Sequence, residues 1–394
     1  RRDFLFQRNN NIPLGISLLR PDLLLSQAVI CFPGVDATVA PDCPANPVAT
    51  GIALVDSTGS NPTFKATLRN HAGYVQLQAD LTDQLNLNIG ARYESANQGV
   101  SAVQVYTVNP TLPPATNLKR DYLLPAATLT YEISPQLQFR LSGSKTIARP
   151  QFRELVFQTY YDPDSNRTFQ GNPQLVDSQL YNAETRLEWY FAPEQRVSLG
   201  GFWKKIKNPI ETYASFDGNS VTTRFANAPE ATLYGVEFEA QKYFDLSGMN
   251  GAFWASRRAV LIGNYTWSQS KLKVGPNDPV QAFPFTGATL ASQFFRDGAP
   301  LTGQSDHLVN LEFGLEDTDK LSQQTFLISY ASDRVTRRGP SGQPDIFERP
   351  GIQVDFVARQ GIPLFGKEIE LKFEARNIFG TKYKEMQESG DNRI

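Results

Sequence analysis

The stretch "IELKFEARN", residues 369–377, places Ile369, Leu371, Phe373 and Ala375 on one parity and Glu370, Lys372, Glu374 and Arg376 on the other. As an extended strand it has one oily face and one fully charged face, whereas helical spacing would scatter both sets around the axis. The pattern recurs along the chain. "LNLNIGARYE" sets Leu85, Leu87, Ile89, Ala91 and Tyr93 against Asn86, Asn88, Arg92 and Glu94. "LQFRLSGS" sets Leu137, Phe139 and Leu141 against Gln138, Arg140 and Ser142. "TRLEWYF" and "VNLEFGLE" repeat it around Leu187 and Leu311. The alternation predicts a nearly all-β chain.

Bulk properties narrow the class. Apolar residues make up 40% of 394 residues and mean hydropathy is −0.36, too polar for membrane helices, and no run approaches the roughly 18 apolar residues such a helix needs. A spanning β-barrel escapes that test because only alternate residues meet lipid. A net charge of −2 argues against a nucleic-acid partner held by a basic surface. No Pro/Ser linker, charge run or change of periodicity divides the chain, so residues 1–394 read as one domain.

Chain order separates a barrel from a soluble sandwich. Strands are expected in pairs: Phe64 to Ala79 with Leu85 to Ser95, Tyr122 to Ile133 with Leu137 to Thr146, and Leu180 to Phe191 with Val197 to Lys207. The next pairs are Thr222 to Tyr243 with Arg258 to Ser268, His307 to Leu315 with Thr325 to Ser332, and Ile352 to Arg359 with Glu368 to Phe379. Tight turns such as "DLTDQ", "SPQ" and "APEQ" alternate with long connections at 97–120, 149–178, 269–303 and 333–350. A sandwich does not require its long loops at one end. An outer-membrane barrel does, with short periplasmic turns and long outside loops. The oily parity of "IELKFEARN" is therefore expected to face lipid and the charged parity a wet interior.

Several segments resemble the C-terminal barrel of TonB-dependent outer-membrane receptors. "GARYE", Gly90 to Glu94, is similar to that family's G-x-R-Y-E strand ending. "SKTIARPQFREL" resembles its S-x-T-x-x-R-P segment through Thr146, Arg149, Pro150 and Leu155. "GNPQL", "FWKKIKNPI", the "GVE" of "NAPEATLYGVEFE", and "ARNIFGTKY" follow in the family's order. The resemblance implies an antiparallel transmembrane β-barrel in the Gram-negative outer membrane. About a dozen strands of a presumed 22-stranded barrel are expected, with the plug domain, the TonB-contacting box and the terminal strand absent from this chain. It also implies partners: outer-membrane lipid, the TonB system acting through the region not in this chain, the plug, and a small-molecule ligand. The implied function is energised import of a scarce ligand, of the ferric siderophore or oligosaccharide class. A passive porin-like channel and an adhesin or structural barrel are the alternatives.

Residue chemistry outside the barrel is sparse. Cys31 and Cys43 bracket a Pro/Gly-rich stretch, and in an exported chain such a close pair reads as a disulfide clipping a loop. With no CxxC and with His71 and His307 the only histidines, a zinc site is not expected. Ser305, Asp306 and His307 are consecutive, so as strand residues they point to opposite faces and cannot form a relay. No nucleotide fingerprint, cofactor motif or nucleophile elbow is present. Asp162, Asp164 and Asn166 have the first spacings of a calcium loop, but Arg167 and Pro173 stand where glycine and the bidentate glutamate belong. The chain reads as non-enzymatic, without cofactor or metal. Loop 149–178 supplies the ligand-binding candidates: Arg153, Tyr160, Tyr161, Asp162, Arg167 and Phe169. Its arginines suit an anionic iron chelate and its tyrosines suit sugar rings. Arg149 is expected to be structural.

Overall fold

The computed structural model describes residues 4–8, 52–56, 63–103, 114–163, 167–217, 220–283, 289–339, 343–389 and 392–393. Cys31, Cys43, Asp164 and Asn166 lie outside these described residues. Two compact units are present, Arg1–Lys65 with Ser101–Pro114, and Ala66–Val100 with Ala115–Ile394. The first holds an antiparallel pair of strands, β1 (Phe4–Arg8) and β2 (Ile52–Asp56).

In the rest of the chain, long strands come in pairs and short loop strands fill the intervals. The series begins with β3 (Thr63–Thr82), β4 (Leu85–Val103), β5 (Thr116–Ser134) and β6 (Leu137–Ala148). A one-turn helix α1 (Phe152–Leu155) and the short β7 (Thr159–Asp162) and β8 (Arg167–Gln170) follow. Then come β9 (Ser178–Ala192) and β10 (Gln195–Lys207), and the loop strands β11 (Ile210–Asp217) and β12 (Ser220–Asn227). β13 (Glu230–Asp245) and β14 (Arg257–Lys273) precede the two-residue β15 (Pro279–Val280) and β16 (Thr289–Leu290). β17 (His307–Asp317) and β18 (Ser322–Ala331) lead to β19 (Arg334–Arg337) and β20 (Ile346–Glu348). β21 (Gly351–Leu364), β22 (Lys367–Ala375), β23 (Glu385–Ser389) and β24 (Asn392–Arg393) complete the series.

The twelve long strands form one sheet in the order β22-β21-β18-β17-β14-β13-β10-β9-β6-β5-β4-β3, a meander in which each strand neighbours the next long strand in the chain. This is the expected dozen. One strand reading is corrected. Thr222 to Tyr243 is two strands, because the chain turns at Asn227–Pro229: β12 joins a loop sheet and only β13 enters the large one. The connection read as 97–120 is also shorter than expected, since β4 runs on to Val103 and β5 begins at Thr116.

Register shows why the large sheet suits a bilayer. Leu85, Tyr131, Phe139, Leu187, Leu199, Phe238, Tyr265, Val309, Tyr330 and Ile352 pair in succession across ten strands, and all are apolar or aromatic. On the opposite face the adjoining row is Glu132, Gln138, Glu188, Ser198, Glu239, Asn264, Asn310, Ser329 and Gln353, all polar. On β9 and β10 the apolar side is the more exposed: Leu187 and Leu199 are 39% and 52% accessible, against 5% for Glu188 and 2% for Ser198 beside them. That inverts a water-soluble protein and fits a wall with lipid outside and water inside.

Polar neighbours on the inner face satisfy one another. Gln138 donates to Glu188 at 2.7 Å, Arg186 to Glu239 at 2.6 Å and Asn310 to Asn264 at 3.0 Å. Ile369, Leu371, Phe373 and Ala375 share the apolar face, Ala375 pairing with Phe356, which pairs with Phe326. The ring centroids of Phe326 and Phe356 lie 4.7 Å apart. On the charged parity, Arg359 meets Glu370 at 3.7 Å and Arg376 meets Glu374 at 3.1 Å.

At the long-loop end the inner face changes character and becomes apolar at Val100, Ile206, Ala231 and Leu272, all buried. Loop residues pack inward there in two clusters. Val100 joins Leu155, Val156, Leu175 and Phe225; Ile206, Ala231 and Leu272 join Tyr213, Ala226, Val280 and Phe295. The dry core of the molecule therefore lies in its loop layer. The long strands form a two-faced wall.

Candidate functional site: the loop layer

The loop layer is built on a four-stranded sheet, β11-β12-β8-β7, whose central pair β12–β8 is parallel. Alternation assigns its faces. Tyr213 pairs with Arg224, and Ala226 is on the same parity, so this face packs into the cluster with Phe295. Thr223 and Phe225 are on the other parity, and this face packs into the cluster with Leu155 and Leu175.

Several of the residues carrying the sequence resemblance are joints of this layer. Gly171 sits where a Cβ would lie 2.2 Å from the Val156 carbonyl oxygen and 2.8 Å from those of Arg153 and Glu154, so only glycine fits. Buried Asn172 donates to the carbonyls of Phe225 at 3.0 Å and Gln281 at 2.8 Å, tying three loops together. Asn208 takes the left-handed conformation, φ 53°, at the corner between β10 and β11. Its carbonyl accepts from Ser178 Oγ at 2.7 Å and Asn227 Nδ2 at 2.8 Å. Arg149 of "ARP" donates to Glu94 of "GARYE" at 2.8 Å, which gives that arginine the structural role expected for it. Asn377, at φ 49°, bonds the Thr381 backbone at both ends of its amide, at 2.8 and 2.9 Å.

The six ligand-binding candidates separate into three environments. Tyr160, Phe169 and Phe225 form an aromatic ladder, with centroids 5.5 and 6.0 Å apart and rings nearly parallel. Burial pushes the Tyr160 phenol up to about 12. Arg153 and Tyr161 are exposed, Arg153 Nε donating to Gln151 at 3.2 Å, and Asp162 is half-buried at the end of β7. Arg167 points elsewhere, onto the β23 region, where it pairs with Glu385 and donates to the Tyr383 hydroxyl.

Glu385 is the meeting point of three loops. Besides Arg167, it accepts from Thr336 Oγ1 at 2.7 Å and from Arg337 Nη2 at 3.1 Å. Arg337 also reaches Thr223 Oγ1 at 3.4 Å. Burial, and then the neighbouring Arg167 charge, push the Arg337 guanidinium down to about 10. Two guanidinium groups thus converge on one carboxylate, leaving a local excess of positive charge. The next residue, Arg338, faces the other way. It is 1% exposed and bonds Glu211 Oε2 at 2.8 Å and Asp345 Oδ2 at 3.0 Å, while Glu211 accepts from the Thr302 amide at 3.2 Å. Burial raises the Glu211 carboxyl and Arg338 opposes that shift. None of Glu211, Arg337, Arg338 or Glu385 stood out in the sequence. The one available signal was the "TRRGP" doublet in a long connection.

Residues 35–378 match the family described as TonB dependent receptor-like, beta-barrel. The chain belongs to this family. TonB-dependent receptor barrels are outer-membrane proteins of Gram-negative bacteria and are not enzymes, which fits the apolar outer wall. Two solved structures of similar fold are the closed form of the ferric-catecholate import receptor Fiu from E. coli K12 and the copper transporter OprC. Fiu is 14% identical with a TM-score of 0.53, over 81% of this chain and 42% of Fiu. OprC is 13% identical with a TM-score of 0.54, over 84% of this chain and 46% of OprC. The chain therefore spans less than half the length of either. No curated protein sequence matches it.

Proposed function

We propose that this barrel and its loop layer belong to a receptor that imports a scarce ligand into the periplasm with energy delivered through TonB, and that the ligand is an anionic chelate of the ferric siderophore class. The observation that supports the ligand class is the convergence of Arg167 and Arg337 on the single carboxylate of Glu385. Planar guanidinium groups recognise carboxylate and catecholate oxygens through paired hydrogen bonds, and they do so on loops held by a rigid scaffold. The oligosaccharide alternative needs open tyrosine faces. Of the two candidate tyrosines, Tyr160 is stacked on Phe169 and only Tyr161 is exposed, so the preference for the anionic reading rests on the two arginines.

The test is uptake of iron-55-labelled chelates by cells carrying the receptor, with and without TonB. Import that needs TonB and falls at least tenfold in an Arg167→Ala, Arg337→Ala variant is the expected result. TonB-independent permeation would favour a passive channel. Binding of cells or matrix without uptake would favour an adhesin. TonB-dependent uptake of neutral oligosaccharide with no chelate uptake would remove the anionic reading and keep the transporter.

A further inference from the structure

The apolar face ends abruptly at the loop end of β6, β9, β10, β13 and β14. Going up that face, the row Gly143, Ala183, Trp203, Tyr234 and Gln269 is followed by Lys145, Tyr181, Lys205, Thr232 and Lys271. The next row up is Ile147, Gln179, Lys207, Glu230 and Lys273. Five lysines thus occupy two successive rows directly above an aromatic band, in which Tyr234 meets Trp267 edge-on at 6.1 Å. Neighbouring strands are about 4.8 Å apart, so the lysines cover a patch roughly 20 Å wide.

Among the described residues this charge is poorly neutralised. Glu230 is the one acid in the two rows, 2.8 Å from Lys205 and 3.9 Å from Lys273. Lys145 and Lys207 lie 5.7 and 5.6 Å from the centroid of one ring, that of Tyr181, which gathers two ammonium groups on a single tyrosine. Among the described residues, no carboxylate comes within ion-pair distance of Lys145, Lys207 or Lys271. The acids in the adjoining loop are engaged elsewhere: Asp278 accepts from the Gly275 amide at 2.7 Å and Asp297 from the Val274 amide at 2.8 Å. Like charges crowded across strands are unfavourable unless an anion joins them.

We infer that this double row of lysines is a docking surface for the phosphate groups of an outer-leaflet glycolipid. Its acyl chains would lie along the apolar rows below. The height is that of a headgroup, since aromatic residues mark the membrane interface and the lysine stems extend from it toward water. The chemistry is that of phosphate, which lysine binds as a point charge. The inference rests on the outer-membrane placement and is independent of which ligand the loops carry.

The experiment uses the receptor purified from outer membranes in mild detergent and delipidated. Its binding to bisphosphorylated lipid A is compared with binding to the enzymatically dephosphorylated form. At least tenfold tighter binding of the bisphosphorylated lipid is expected. That preference should be lost in Lys145→Gln, Lys207→Gln, Lys271→Gln, a charge-neutralising variant whose assembly is checked by heat-modifiability. If the triple variant does not assemble, Lys207→Gln alone, on an exposed position, should narrow the preference several-fold. Inorganic phosphate at the same concentration should fail to displace the lipid. Equal binding of the two lipid forms, an unchanged preference in the assembled variant, or displacement by inorganic phosphate would each overturn the assignment.

Discussion

Arg338 and Glu211 are 127 positions apart in the chain and 2.8 Å apart in the structure, each almost wholly buried. The pair joins β11 to the connection between β19 and β20, and the carbonyl of Pro300 adds a third loop. A buried pair of this kind contributes little net stability when intact, and removing one partner is costly because the other charge is left buried and unpaired. Glu211→Ala should destabilise the loop layer by about 3–5 kcal/mol. The measurement is faster protease cleavage within 333–350 on intact cells. Replacing both residues, as Glu211→Leu with Arg338→Met, should restore most of the protection.

Tyr213 is buried among Phe294, Phe295 and small residues, and among the described residues its hydroxyl has no hydrogen-bond partner. Burial raises the phenol from its ordinary 10 to about 12. The fold thus favours the neutral form. The resulting stability is complete below pH 10 and is lost as pH rises through about 12. Tyr213→Phe should remove this alkaline loss and stabilise the loop layer by about 1 kcal/mol, since it deletes an unsatisfied buried oxygen. Protease resistance of the loops between pH 9 and pH 12 is the readout. A steeper loss in the variant would contradict the account.

Leu371→Arg and Lys372→Leu are adjacent changes on opposite faces of β22. The first places a charge in lipid at about 2–4 kcal/mol near the midplane, and the second alters an inner position. Heat-modifiability on a gel should show impaired assembly for Leu371→Arg only. Equal impairment would undo the face assignment.

Gly171→Ala should misplace the connection that holds Asn172, because its Cβ would collide with three backbone carbonyls that cannot move away as a side-chain tip can. About 1–3 kcal/mol of loop-layer stability should be lost. The effect is expected in protease sensitivity at 149–178, with heat-modifiability of the barrel unchanged.

The side on which the loops emerge is also testable. Asn277 is exposed in a turn of the connection between β14 and β15. An epitope tag there should be reachable by antibody on intact cells, and a tag in the "DLTDQ" turn should be reachable only after the outer membrane is permeabilised. The reverse pattern would invert the barrel and displace both the ligand site and the lysine surface.

The long strands are legible in the sequence because each carries its own evidence. Period-two alternation in "LNLNIGARYE" or "VNLEFGLE" needs no distant partner to be recognised. Thr222 to Tyr243 misleads because alternation continues through a corner that is set by Pro229 and by the side chain of Asn227, which bonds Val176 and Asn208. The loop sheet is harder still to read. β8 pairs in parallel with β12 more than fifty residues away, and Glu385 meets Arg167 across the whole second half of the chain. Among the six candidates, Tyr160 and Phe169 share a hairpin whose strands pair residue to residue, so their proximity is local. Arg167 is on the same hairpin, yet its partner belongs to a segment that no spacing rule connects with it.

The alternation of faces also bears on how such a chain reaches its membrane. A protein bound for the outer membrane must first pass through the inner one, where a continuous run of about 20 apolar residues would be retained as a helix. In β3, β4 and β5, every second side chain is held back for the wet interior, and no helix among the described residues is long and apolar enough to cross a bilayer. The oily surface is thus dispersed during export. It comes into being only when neighbouring strands align, so lipid affinity in this chain is a property of registered pairs rather than of any segment.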